Sequence, residues 1–171
     1  MSKHFRICVS WWFGLVAHIS ASTVPLGPQI AYSPLAMAQE KMGESRTRLP
    51  MDTVEKGYRS GVRESLQVVI RNQDEWNAFW KRHSAIETNP PPAPSIDFNR
   101  EMVVGIFLGE KSTGGYEMEI VRAERRDSLL YFYYREKIPS PGATVTQALT
   151  QPFHLLRVPK YDNPQIIFRR D

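Results

Sequence analysis

The run "MVVGIFL", Met102 to Leu108, constrains this chain more than any other stretch. Its seven residues are nearly continuously apolar. Without alternation they fit a strand covered on both faces. The segments around it read as shorter and more amphipathic elements. "SLQVVIRN" sets Leu66, Val68 and Ile70 against Ser65, Gln67 and Val69, the period of two expected of a half-buried strand. "YEMEIVRAERRD" alternates Tyr116, Met118 and Ile120 with Glu117, Glu119 and Val121. Asp127-Ser128 then makes a turn into "LLYFYYREKI", giving a hairpin. "FHLLRVPK" and "PQIIFRR" close the chain as two more strands around "YDN".

One segment changes period. In "NQDEWNAFWKRHSAIE" the residues Trp76, Phe79, Trp80 and His83 fall at i, i+3, i+4 and i+7, one face of a helix. Asn72 stands at the cap position with Glu75 three residues on, as in a capping box, and Asp74 adds negative charge to the first turn. "TNPPPAPS" ends the helix, since prolines cannot continue it, and reads as a stiff spacer. The expected fold class is α+β, mainly β: antiparallel sheets of about six strands joined by short turns, with one amphipathic helix against them, sandwich-like.

The start of the chain has a different character. "MSKHFR" is basic, "ICVSWWFGLVAHISA" carries no Asp, Glu, Lys or Arg, and Ala36-Met37-Ala38 precedes Gln39 in a small-x-small pattern. These are the parts of a secretory signal, read as residues 1–38, with Ala21 and Ala31 as earlier cleavage points. Pro25, Gly27 and Pro28 interrupt any extension to the ~20 apolar residues of a spanning helix, so no stable membrane anchor is expected after cleavage. Cys8, the one cysteine, would leave with the leader, and the mature protein would hold neither thiol nor disulfide. Residues 39–57 are polar and without period, and read as a flexible mature N-terminus. The domain is placed at 58–171. The expected location is secreted or periplasmic, in a bacterial host.

Charge and motifs exclude several function classes. The 22 Lys and Arg against 18 Asp and Glu leave an excess of four, and acid alternates with base along the body. A nucleic-acid binder gathers its basic residues on one face or arm, so no nucleic-acid partner is expected. Outside the leader only His83 and His154 remain as histidines, each flanked by apolar neighbours and read as packed or surface residues; with no cysteine and no Gly-x-Ser-x-Gly elbow, no catalytic residue is assigned. Two isolated histidines make a poor zinc site, so no metal is expected. Glu117 and Glu119 read as solvent-facing, and Asp97 as a turn residue. "GEKSTGGYEMEI", 109–120, tempts a phosphate-loop reading. Its lysine precedes the glycines and a strand follows, whereas a phosphate loop ends in Gly-Lys-Ser/Thr and opens a helix. No cofactor is assigned. Gly114 and Gly115 are read as residues of positive φ in a tight turn, which would hold Ser112, Thr113 and Tyr116 in fixed directions as a protein-contact loop.

In order, "VVI", "EWNAFWKRH", "IDF", "VVGIFLGEKSTGGYEMEI" and "TQPFHLLRVPK" resemble the C-terminal domain of the PrcB proteins, over about Tyr58 to Phe168. That family takes its name from a lipoprotein subunit of a surface protease complex. The resemblance implies a non-enzymatic, exported accessory or binding module that stabilises a protease or another protein assembly, and no catalytic residues come with it. This chain lacks the lipobox cysteine, so membrane anchoring is not implied. "STGGY" is also similar to the Thr-Thr-Gly-Tyr loop of chagasin-type cysteine-protease inhibitors. That similarity implies an alternative, a protease inhibitor acting through 112–116, with "SPGAT" (140–144) and "NPPPAP" (89–94) as further loops.

Overall fold

A computed structural model of the chain describes residues 45–171. The signal peptide expected at 1–38 and the first residues of the 39–57 segment lie outside the described residues. Among the described residues there are eight strands, one helix and one 3-10 turn: β1 (Arg46–Arg48), β2 (Asp52–Gly57), β3 (Ser65–Ile70), α1 (Gln73–His83) running into the turn Ser84–Ile86, β4 (Glu101–Leu108), β5 (Glu117–Arg126), β6 (Leu129–Lys137), β7 (Phe153–Pro159) and β8 (Gln165–Arg170). They form two four-stranded sheets. Sheet A has the order β1-β5-β6-β8 and sheet B the order β2-β7-β4-β3. All pairings are antiparallel except β6 with β8. The mainly β, sandwich-like architecture with one helix is therefore the one observed.

Two strands exceed the six expected, and both lie in the stretch read as flexible. The correction has a physical reason. β1 and β2 are edge strands, each hydrogen-bonded on one side only, and their sequences "RTR" and "DTVEKG" offer almost no apolar period. Their order comes from partners: β1 from β5, β2 from β7. Between them Leu49 is buried in the core and its N–H donates to the Ala123 carbonyl at 2.9 Å. The sheets thus begin before residue 58.

β4 explains the apolar run. Met102, Val104 and Ile106 point into a core between the two sheets, shared with Met118, Ile120, Leu130, Phe132, Leu156 and Val158. Val103 and Phe107 point the other way, into a second core beneath α1 with Trp76, Trp80, Phe153 and Leu155. β4 and its neighbour β7 are covered on both faces, by sheet A and by the helix. Period two is hidden because both faces are apolar.

α1 is built as its sequence specifies. Asn72, in extended backbone, accepts the Glu75 N–H at 2.9 Å. The return bond of the box shifts one residue: Glu75 Oε2 accepts from the Arg71 N–H at 3.1 Å. Trp76, Trp80 and His83 are buried. The proline segment is more than a spacer, since the Trp76 and Trp80 indole N–H groups donate to the carbonyls of Pro94 and Pro91, each at 2.9 Å. Prolines donate no hydrogen bond but present their carbonyls stiffly, and a buried indole needs an acceptor.

Candidate functional site

The 109–116 loop leaves β4 and leads into β5. Gly109, at φ +73°, turns the chain off the sheet, where a side chain would press on the backbone of Arg63 and Glu64. Beyond it the loop is tied to the long connection between β6 and β7. Lys111 and Thr150 exchange two backbone hydrogen bonds, at 2.8 and 3.0 Å. The Gly114 N–H donates to the Thr146 carbonyl at 2.8 Å, and Thr150 Oγ1 donates to the Thr113 carbonyl at 2.8 Å. The connection 139–152 is thus a strap lying along the loop.

The strap separates the roles of the two glycines. Gly115 has φ +85°, and a Cβ there would stand 2.8 Å from Val145 Cγ1 and 3.1 Å from Pro139 Cβ. It is required by backbone angle and by space together. Gly114 is not among the residues of positive φ, which corrects the expectation for it. A Cβ on Gly114 would meet Thr146 Cβ at 3.4 Å, ordinary contact, so its glycine answers only to the closeness of the strap.

Of the expected contact residues, Ser112 and Gly115 are exposed, while Thr113, Gly114 and Tyr116 are half-buried. The Lys111 ammonium lies 5.5 Å from the centre of the Tyr116 ring. Sequence reasoning missed the surroundings. Tyr58, Ile138 and Leu149 are the large apolar side chains most open to solvent among the described residues, at 47%, 55% and 61% exposure. All three flank this loop. The Tyr58 hydroxyl donates to Glu117 at 3.0 Å and its carbonyl accepts the Gln151 N–H, Ile138 precedes the Pro139 that abuts Gly115, and Leu149 precedes Thr150. A lone leucine inside the polar "TVTQALTQP" was the available signal. Of the other loops, 140–144 belongs to the strap, whose flanking residues Pro139, Val145 and Thr146 meet Gly114 and Gly115. Residues 89–94 belong instead with α1, where Pro91 and Pro94 receive the indoles.

The family model described as PrcB C-terminal matches residues 102–159. The matched segment runs from β4 to the end of β7 and so contains the loop, the strap and the hairpin between them. The helix and β3, which the resemblance also drew on, lie outside it. No match was found among curated proteins or among solved structures.

The two histidines are placed by hydrogen bonds rather than left on a surface. His83 lies under the helix, its Nδ1 2.9 Å from Ser60 Oγ and its Nε2 3.0 Å from Glu55 Oε2. A serine, a histidine and a carboxylate in line are the parts of a nucleophilic triad. Here the serine hydroxyl is sealed in. Ser60 has no exposed surface, its Oγ already accepts the Val62 N–H at 3.0 Å, and the imidazole sits edge-on to Phe153 with ring centres 4.6 Å apart. The chain satisfies a buried imidazole at both nitrogens and offers the hydroxyl no approach. His154, on β7, is buried between the sheets. Burial, with Lys56 nearby and only partly offset by Glu119, lowers its pKa to about 4.

Among the carboxylates, Glu117 is half-buried and bound: the Tyr58 hydrogen bond, with Lys137 beside it, holds it below its ordinary range. Glu119 faces solvent and pairs with Lys56 at 3.1 Å. Asp97 is the turn residue expected, its side chain accepting the Asn99 N–H and its carbonyl those of Arg100 and Glu101. Among the described residues no cluster of His, Cys, Asp and Glu fit for a metal occurs, and no helix is long and apolar enough to cross a membrane.

Proposed function

We propose that the chain is an exported, non-enzymatic accessory module that binds a partner protein, a protease in the first instance, and stabilises it. The contact face is the loop Ser112, Thr113, Gly114, Gly115 and Tyr116 together with the strap beside it. One observation carries this reading: the three most exposed large apolar side chains among the described residues, Tyr58, Ile138 and Leu149, gather around a loop whose backbone is already tied down. A pre-ordered, partly apolar surface loses little entropy on binding, and tyrosine suits interfaces. The PrcB C-terminal match, which spans this loop and strap, supports the protease-associated role. Affinity capture from the native host tests it. Wild-type protein should retain a partner that Tyr116→Ala/Leu149→Asp loses. Capture of nothing by the wild type, or equal capture by the variant, would sink the reading.

The alternative is direct inhibition of a protease by insertion of the 112–116 loop. It is favoured by the contact between this loop and the strap bearing 140–144. The location of 89–94 with the helix speaks against the three-loop version. Titration of papain-like and subtilisin-like proteases decides, and turnover unchanged at micromolar protein removes it.

A further inference from the structure

The outward face of sheet A collects charge that the sequence disperses. Leu130 and Phe132 of β6 point into the core, so Tyr131 and Tyr133 point outward, and cross-strand partners share their face. Tyr131 stands opposite Glu124 and Tyr133 opposite Arg122 on β5; Arg48 stands opposite Glu124 and Arg46 opposite Arg126 on β1; Arg169 stands opposite Tyr133 on β8. Five arginines from three strands therefore surround two tyrosines and one glutamate.

The tyrosines act as a floor. Arg122 stacks on the Tyr133 ring at 3.8 Å, and Arg126 and Arg169 lie over Tyr131 at 4.8 and 5.1 Å. Arg126 also donates to the Tyr133 hydroxyl at 2.7 Å. Glu124 accepts from Arg126 and Arg122, and chiefly the Arg126 hydrogen bond, with the Arg122 charge beside it, holds its carboxyl below the ordinary range. Arg122 is already engaged within the chain, since its second terminal nitrogen donates to Asp171 at 3.5 Å, whereas Arg169 is held over the Tyr131 ring by stacking; a stacked guanidinium loses less rotamer freedom on pairing than a free lysine would. Arg46, Arg48 and Arg169 are exposed.

We infer that this outer face of sheet A, centred on the exposed Arg48 and Arg169, docks an acidic segment of another protein through arginine–carboxylate pairs. Charge complementarity selects the sign, and the details of the face select the class. Single-stranded nucleic acid stacks its bases on open aromatic rings, whereas Tyr131 and Tyr133 are only 7% and 8% exposed, roofed by the arginines. A membrane-surface site needs apolar side chains to insert, and the centre of this face offers guanidinium groups instead. A broad sheet face does not enter a duplex groove as a helix or two-stranded ribbon does. Neighbouring strands, about 4.8 Å apart, and alternate residues, about 6.7 Å apart, set a grid that carboxylates on an extended acidic peptide can meet. The inference concerns a face other than the 112–116 loop and stands independently of it.

The test uses the full chain and a fluorescein-labelled oligo-glutamate peptide, with an oligonucleotide of equal charge and anionic phospholipid vesicles as parallel probes. The peptide should bind at low salt and weaken as salt rises. Arg48→Ala/Arg169→Ala, which removes two exposed side chains without touching the core, should weaken it at least tenfold. Arg48→Lys/Arg169→Lys should recover only part of that loss, since charge returns without the fork. Tyr116→Ala should bind the peptide as wild type does, separating this face from the loop. No peptide binding, binding indifferent to the arginine substitutions, or tighter binding of the oligonucleotide or vesicles would each overturn the inference.

Discussion

His154 Nδ1 on β7 accepts the Ile120 N–H of β5 at 2.9 Å, a side-chain bond linking sheet B directly to sheet A. It falls where β5 slips register between Ile120 and Arg122, so the imidazole supplies a partner at the irregularity. To accept at Nδ1 the ring must be neutral with its proton on Nε2, which then donates to Thr53 Oγ1 at 3.0 Å.

Acid should therefore loosen the sandwich. The folded pKa of about 4 lies below the ordinary 6.5, so between these values the unfolded chain binds the extra proton. The contribution is complete above the upper value and is lost as pH falls toward the lower, on the order of 2–3 kcal/mol across the window. Urea midpoints should drop from pH 7 to pH 4.5. His154→Leu should be less stable at pH 7, because it strands the Ile120 N–H, and flatter with pH. A variant as steep as wild type would show that other groups carry the dependence.

The two glycines of the loop should respond differently. Gly115→Ala forces a side chain into positive φ against Val145 and Pro139 and should cost about 1–3 kcal/mol, with faster proteolysis of the 139–152 strap. Gly114→Ala should stay within about 0.5 kcal/mol of wild type. Equal effects in thermal melts would contradict the assignment of positive φ to Gly115 alone.

Ser60→Ala should destabilise by about 1–3 kcal/mol, since the Val62 N–H and His83 Nδ1 both lose a buried partner. Partner capture should be unaffected. A Ser60→Ala protein as stable as wild type would show that the buried relay contributes nothing to the fold.

Removal of the cap side chain in Asn72→Ala frees the Glu75 N–H at the helix start and should cost about 1 kcal/mol. Chemical denaturation would register it as a lower midpoint with unchanged slope.

Where local pattern determines structure, the sequence was readable. The i, i+3, i+4, i+7 stripe of Trp76, Phe79, Trp80 and His83 needs only its own spacing, and the cap and the apolar run of β4 are equally local. Edge strands are not, because β1 and β2 take their order from β5 and β7, far along the chain. The strap is illegible for the same reason: Lys111 meets Thr150 and Gly114 meets Thr146 only after the hairpin has folded. The arginine face escaped because acids and bases do alternate in "RAERRD", and only sheet registration places Arg122 and Arg126 beside Arg48 and Arg169. Tyr58, Ile138 and Leu149 look like isolated apolar residues until the loop brings them to one end. The 112–116 loop was legible as a turn, but its tethering was not.

The chain's route between the sheets has a kinetic consequence. It leaves sheet B after β4, builds the β5–β6 hairpin of sheet A, and returns to place β7 against β4. β7 can reach its position only across that excursion, so the central pair of sheet B has a long loop to close, while the hairpin needs only its own turn. The hairpin is accordingly the natural first event, and neither sheet can be completed as a separate unit. Heat or denaturant should take both apart in one transition.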